Sequence, residues 1–118
     1  MGTGFHDLQV WRKAKALAVT ICTTTANLRD LSLRDQIRRS AVSVPSNITE
    51  GDERDTGKDS IRFFYIAKGS LAELCTQIEI AMEVGLIPPQ TAESILSQAA
   101  VIGRKLGALI KARTSHTL

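Results

Sequence analysis

Residues 57–85 read GKDSIRFFYIAKGSLAELCTQIEIAMEVG. Phe64, Ala67, Leu71, Leu74, Ile78 and Ala81 recur there at steps of three and four, the spacing of one face of an α-helix. Gly85 stands where a glycine closes a helix by taking positive φ, so the pattern predicts a helix over 57–84. Before it, GDERDTG at 51–57 is polar and carries two glycines, which reads as a loop, with Asp55 or Thr56 free to cap the helix behind it.

The same spacing recurs on both sides. Upstream, Leu33, Ile37, Ala41, Val44 and Ile48 form a stripe over 33–50, with Ser32 and Asp35 resembling a capping box. Pro45 lies inside that stripe and predicts a kink near Ala41 to Val44. At the end of the stripe, Asn47 is expected to bond local backbone and Gly51 to take positive φ. Further upstream, Trp11, Ala14, Ala18, Ile21, Thr25 and Leu28 predict a helix over 7–29. Downstream, Pro88 and Pro89 interrupt the chain before Ala92, Ile95, Ala99, Ile102, Leu106 and Leu109 predict a fourth helix over 89–112. Four amphipathic helices joined by short links predict an all-α fold, an antiparallel up-and-down four-helix bundle.

The chain has 118 residues, which argues for a single domain over 1–118 with a core large enough to fold without staples. A hydrophobic share of 43% and a charged share of 23% place it among globular proteins and exclude disorder. No leader pattern opens the chain and no apolar run is long enough for a membrane span, so a cytoplasmic protein without a membrane partner is expected. Cys22 and Cys75 stand alone in apolar helical contexts, which reads as small buried hydrophobes rather than metal ligands.

The inventory for catalysis is thin. The two histidines, His6 and His116, lie near opposite ends, and no Glu-x-x-His pair supports a di-iron bundle. Lys68, Gly69 and Ser70 lack the upstream glycine of a phosphate loop, and Gly69 with Ser70 reads instead as a close helix contact. Glu73, Glu79 and Glu83 read as solvated carboxylates, and Glu73 is also placed to accept Arg38 or Arg39. A non-enzymatic chain without cofactor or metal is the expectation.

The cations are better organised. Fifteen Lys and Arg against twelve Asp and Glu give a net charge of +3. Arg12 and Lys15 fall on the outer face of the first helix, Arg34, Arg38 and Arg39 on that of the second, and Arg104 and Lys111 on the fourth. These seven are the candidate nucleic-acid-binding residues, acting mainly on phosphates. Phe63, Phe64 and Tyr65 form one aromatic cluster, with Phe64 claimed by the core stripe. The other reading of the basic faces is a solvated surface on a protein-interaction scaffold. Leu96, Ala100, Gly103, Gly107 and Ile110 make a second stripe on helix four. That stripe reads either as a broad core face or as an oligomer interface, where two glycines one turn apart admit a neighbouring helix.

Three segments carry a family resemblance. They are FHDLQVWRKA at 5–14, QIRRSAVSVPSNITEG at 36–51 and FFYIAKGSLAEL at 63–74. In this order they resemble the bacterial four-helix-bundle proteins encoded in 23S ribosomal RNA intervening sequences. The resemblance implies a ring-like homo-oligomer, a homopentamer around a basic channel. It also implies a relative, the accessory protein of diversity-generating retroelements, which binds nucleic acid and a reverse transcriptase. The partners this implies are other copies of the chain, RNA or DNA, and a reverse transcriptase or another protein.

Overall fold

A computed structural model describes residues 4–117, and for His6, Asp7, His116 and Thr117 it describes the backbone alone. The side chains of both histidines therefore lie outside the described residues. A short 3-10 helix at Gly4–Asp7 leads into α1 (Gln9–Thr24), followed by α2 (Leu31–Asp52), α3 (Gly57–Glu83) and α4 (Pro89–Thr117). No strand occurs among the described residues. No described helix is long and apolar enough to cross a membrane.

Local chemistry sets the helix ends. Asp30, not Ser32, caps α2: its Oδ1 accepts from the Leu33 backbone N–H at 3.0 Å, leaving Ser32 within the helix. An aspartate is as good a cap as serine, and it stands two residues earlier. Thr56 caps α3 by accepting from the Asp59 N–H at 3.2 Å, and Gly85 takes φ +81° behind it. The first helix closes at Thr24, well before residue 29, because Thr25 caps it and turns its hydroxyl back onto the Ile21 carbonyl at 2.7 Å. Thr25 and Leu28 remain buried, so the stripe outlasts the helix that carries it.

Two boundaries run further than the sequence predicts. Helix α2 passes through Pro45 without a break and includes Gly51 and Asp52, and α4 continues to Thr117. Pro45 withholds one backbone donor, and the buried stripe carries the helix across it. Gly51 does not take positive φ; it is a helical residue against which Phe64 packs. An added Cβ there would meet Phe64 Cε1 at 2.5 Å and the Ser60 carbonyl oxygen at 3.0 Å. Ser60 Oγ in turn donates to the Gly51 carbonyl at 2.6 Å, pinning the start of α3 to the end of α2.

The helices pack in chain order around one core. α1 meets α2 and α4, α3 meets α2 and α4, and the backbones of the diagonal pairs do not approach one another. Ile21, Ile37, Ile48, Phe64, Leu74, Ile78, Ile95, Ile102 and Leu106 fill the centre of a body 47 × 20 × 20 Å. Cys22 and Cys75 are half-buried rather than core residues, Cys75 packing against the core from its edge.

Candidate nucleic-acid interface

The bundle separates charge by helix. No Asp or Glu occurs between Asp7 and Asp30, and none follows Glu93. Adjacent α1 and α4 thus carry seven cations (Arg12, Lys13, Lys15, Arg104, Lys105, Lys111, Arg113) and one acid, Glu93. By contrast α2 and α3 carry six cations and seven acids. A surface of one sign attracts polyanions, whereas interspersed signs cancel beyond about 10 Å at ordinary salt.

The seven predicted cations divide accordingly. Arg12 and Lys15 border a shallow groove with Trp11 and Val19, and Lys15 Nζ lies 5.2 Å from the Trp11 ring centroid. Arg104 and Lys111 are exposed on α4 and make no ion pair with any described residue. Two other α4 cations are engaged: Lys105 Nζ donates to Gln9 Oε1 and Arg113 Nη2 to Asp52 Oδ1, each at 2.6 Å.

The three arginines of α2 do not share a face. Arg34 pairs with neighbouring Asp35 at 3.3 Å. Arg38 turns inward to α1, where Nη2 donates to the Cys22 carbonyl at 2.7 Å and Nε to Thr25 Oγ1 at 3.2 Å. The expected pairing of Arg38 with Glu73 is therefore replaced by a tie between α1 and α2. Arg39 faces α3 and makes no ion pair with Glu73 either.

On the other flank of α4, Tyr65, Lys68, Gly107, Ile110, Lys111, Thr114 and Ser115 line an open groove of about 310 Å³. Tyr65 is 56% exposed, and Gly107 has nothing within 4 Å of where a Cβ would stand. Sequence reasoning left Tyr65 and Lys68 out of the site. The available signal was the run from Ser60 to Ala72, which has no acid and places Tyr65 and Lys68 three residues apart, off the Phe64 seam.

Two small-residue readings change as well. Ile110 is buried at 6% exposure in the core of its own chain, so it is not an outer contact. Gly103 faces Leu71 Cδ2 at an ordinary 3.6 Å, while Leu96 is half-buried and Ala100 exposed. A Cβ added at Gly69 would meet nothing within 4 Å, so the glycine is not needed for a close helix contact; Ser70 does touch α2, its Oγ lying 2.8 Å from Ser43 Oγ. Asn47 bonds locally as predicted, its Nδ2 donating to both the carbonyl and the Oγ of Ser43 at 2.9 Å.

Around those serines lies a second, polar groove of about 280 Å³, lined by Gln36, Arg39, Ser40, Ser43, Ser70, Glu73 and Gln77. Gln77 Oε1 is buried and takes no hydrogen bond from a described residue. Among the described residues no cluster of three or more His, Cys, Asp or Glu is placed to hold a metal ion.

The fold has a solved counterpart. A protein with unknown function from the S23 ribosomal protein family of Bacteroides thetaiotaomicron superposes with a TM-score of 0.82 at 25% identity, covering 86% of this chain and 98% of its own. Among curated proteins none matches the chain. The sequence profile of the 23S rRNA-intervening sequence proteins matches residues 6–108, which takes in the cations of α1, Arg104 and Lys105 of α4 and the polar groove between α2 and α3, and ends before Lys111. By that match over most of its length, this four-helix bundle belongs to the 23S rRNA-intervening sequence protein family.

Proposed function

We propose that the protein is a non-enzymatic nucleic-acid-binding bundle that holds RNA or DNA by its phosphates along α4 and its flanks. The observation that carries this is the separation of charge: α1 and α4 hold seven cations against one acid, while the acids gather on α2 and α3. Arg104, Lys111 and Lys68 are the principal contacts, with Arg12 and Lys15 extending the surface around α1. Tyr65 beside Lys68 and Lys111 adds an exposed ring on which a base stacks. Arg34, Arg38 and Arg39 leave the phosphate set, because the first two are engaged within the chain and the third faces α3.

In this reading several copies assemble in the cytoplasm, and a ring multiplies a modest patch into a concentrated field. The remaining small-residue stripe, Leu96, Ala100, Gly103 and Gly107, is the contact offered for assembly. A reverse transcriptase or other protein bound through the same basic faces is the competing role.

The test is binding of a fluorescent single-stranded RNA and a duplex DNA over a salt series, with subunit number measured by light scattering in the same buffer. Binding to phosphates weakens steeply as salt rises, by about 0.7 in the logarithmic slope for each contact to a single strand. Replacing Lys68, Arg104 and Lys111 together by Gln is expected to lower the slope by about 2. Equal binding before and after the triple replacement overturns the assignment to this face.

A further inference from the structure

Helices α2 and α3 run antiparallel, and Ser43 and Ser70 meet at 2.8 Å. Seven residues back along α2 and seven onward along α3 stand Gln36 and Gln77, again on one level, since seven residues are two helical turns on each helix. Arg39 and Glu73 fall between these levels, one on each wall of the groove. Both are exposed, and neither makes an ion pair with a described residue. The α2 wall thus presents a guanidinium, a planar fork of donors. The α3 wall presents the two acceptor oxygens of the Glu73 carboxylate, and four residues on Gln77 lines the same groove with its Oε1 buried. The floor consists of hydroxyls, Ser40 at 6% and Ser70 at 8% exposure.

We infer that this groove binds a guanine base edge-on, with Arg39 donating to O6 and N7 while the two oxygens of the Glu73 carboxylate accept from N1–H and the N2 amine. The inference rests on the nucleic-acid reading above and deepens it, from phosphate contact to recognition of one base. Guanine alone among the four bases joins two acceptors, O6 and N7, to an adjoining edge with three N–H protons. Adenine and cytosine offer a single amine beside a ring acceptor, which sets a lone pair against the Glu73 carboxylate. Uracil supplies one N–H and leaves one Glu73 oxygen unmet. The groove, about 280 Å³ and open on one side, admits a base edge. Lys68 lies five residues from Glu73, about 8 Å along α3, so a strand crossing that helix reaches both the phosphate-binding flank and this groove.

The test has two arms on the full-length protein. In the first, guanosine 5′-monophosphate is titrated while the side-chain resonances of Gln77 and Arg39 are followed, with the adenosine, cytidine and uridine monophosphates sharing the phosphate. The guanine nucleotide alone is expected to shift Gln77. Equal shifts from all four, or none at millimolar ligand, overturn the proposal. In the second arm, an eleven-nucleotide oligoadenylate is compared with the same strand carrying one central guanosine. About tenfold tighter binding of the guanosine strand is expected, from one bidentate contact. Glu73→Gln is expected to abolish the difference while leaving the salt slope intact. Equal affinities with a steep salt slope overturn guanine recognition and leave phosphate binding standing. A guanine response with no salt dependence separates the two readings the other way. Glu73 is exposed and makes no side-chain hydrogen bond or ion pair with a described residue, so Glu73→Gln is expected to fold.

Discussion

Arg38 ties α2 to the last turn of α1: its Nη2 donates to the carbonyl of Cys22 at 2.7 Å, and its Nε to the hydroxyl of Thr25 at 3.2 Å. Thr25 Oγ1 donates onward to the Ile21 carbonyl, so one guanidinium satisfies groups that the ending helix exposes. Side-chain donors at a helix C-terminus also meet the negative end of its dipole.

Arg38 therefore stabilises the fold. Arg38→Ala leaves the Cys22 carbonyl without this donor and is expected to cost about 2 kcal/mol, the range for hydrogen bonds to a charged group. Urea unfolding measures that loss. RNA affinity at fixed salt should stay within about twofold of wild type once the variant is folded. A stable Arg38→Ala variant that has lost RNA binding would return Arg38 to the interface.

Gly51 and Gly107 are both helical glycines, and the same substitution has opposite signs at the two sites. At Gly51 a methyl group would lie 2.5 Å from Phe64 Cε1 and 2.8 Å from Cδ1. Phe64 is fully buried and has little room to yield, so Gly51→Ala is expected to cost about 1–3 kcal/mol by overpacking. Gly107 has open space and pays the entropy of glycine in a helix, so Gly107→Ala is expected to gain about 0.5–1 kcal/mol. Denaturant midpoints of the two single variants, one falling and one rising, test the pair of assignments together.

Gly107→Arg separates the two uses of the α4 face. Gly107 lines the groove with Lys68 and Lys111 and also belongs to the small-residue stripe offered for assembly. If copies of the chain pack there, a long side chain lowers the molar mass seen by light scattering. If the groove is a ligand surface alone, the mass is unchanged, and RNA affinity still changes because the groove is filled. An unchanged mass with unchanged RNA affinity would remove Gly107 from both roles.

The helices were legible because their buried residues keep a period: Phe64, Ala67, Leu71, Leu74, Ile78 and Ala81 are all core residues. What the period hides is the partner on the other side of a contact. Gly51 looks like a stop signal, since glycine commonly ends helices, yet its small size serves a ring thirteen positions away. Arg38 and Arg39 are sequence neighbours, yet 100° of helical rotation turns one to α1 and the other to α3. The acid-free runs of α1 and α4 were visible in the sequence, and their adjacency needed the bundle. The polar groove was hidden for the same reason, because its walls come from segments some thirty residues apart.

Cys75 supplies a dependence on pH. Burial pushes its thiol above the ordinary range, and the nearby Glu79 carboxylate pushes it further the same way. An unfolded cysteine ionises near pH 8.5. Because the folded thiol holds its proton to higher pH, the unfolded chain loses a proton first as pH rises past that point. The contribution is therefore complete below about pH 8.5 and is lost as pH rises through the folded value. Cys75→Ala removes this dependence while adding a constant packing cost, so the gap in urea midpoint between wild type and variant should be steady from pH 6 to 8 and narrow above pH 9. The same shift keeps the thiolate scarce, so iodoacetamide is expected to modify Cys75 more slowly at pH 8 than a cysteine in an unfolded peptide. Glu79→Gln should speed that reaction by withdrawing the carboxylate. A midpoint gap that is flat to pH 10, together with alkylation as fast as the peptide, would show that neither burial nor Glu79 acts on this thiol.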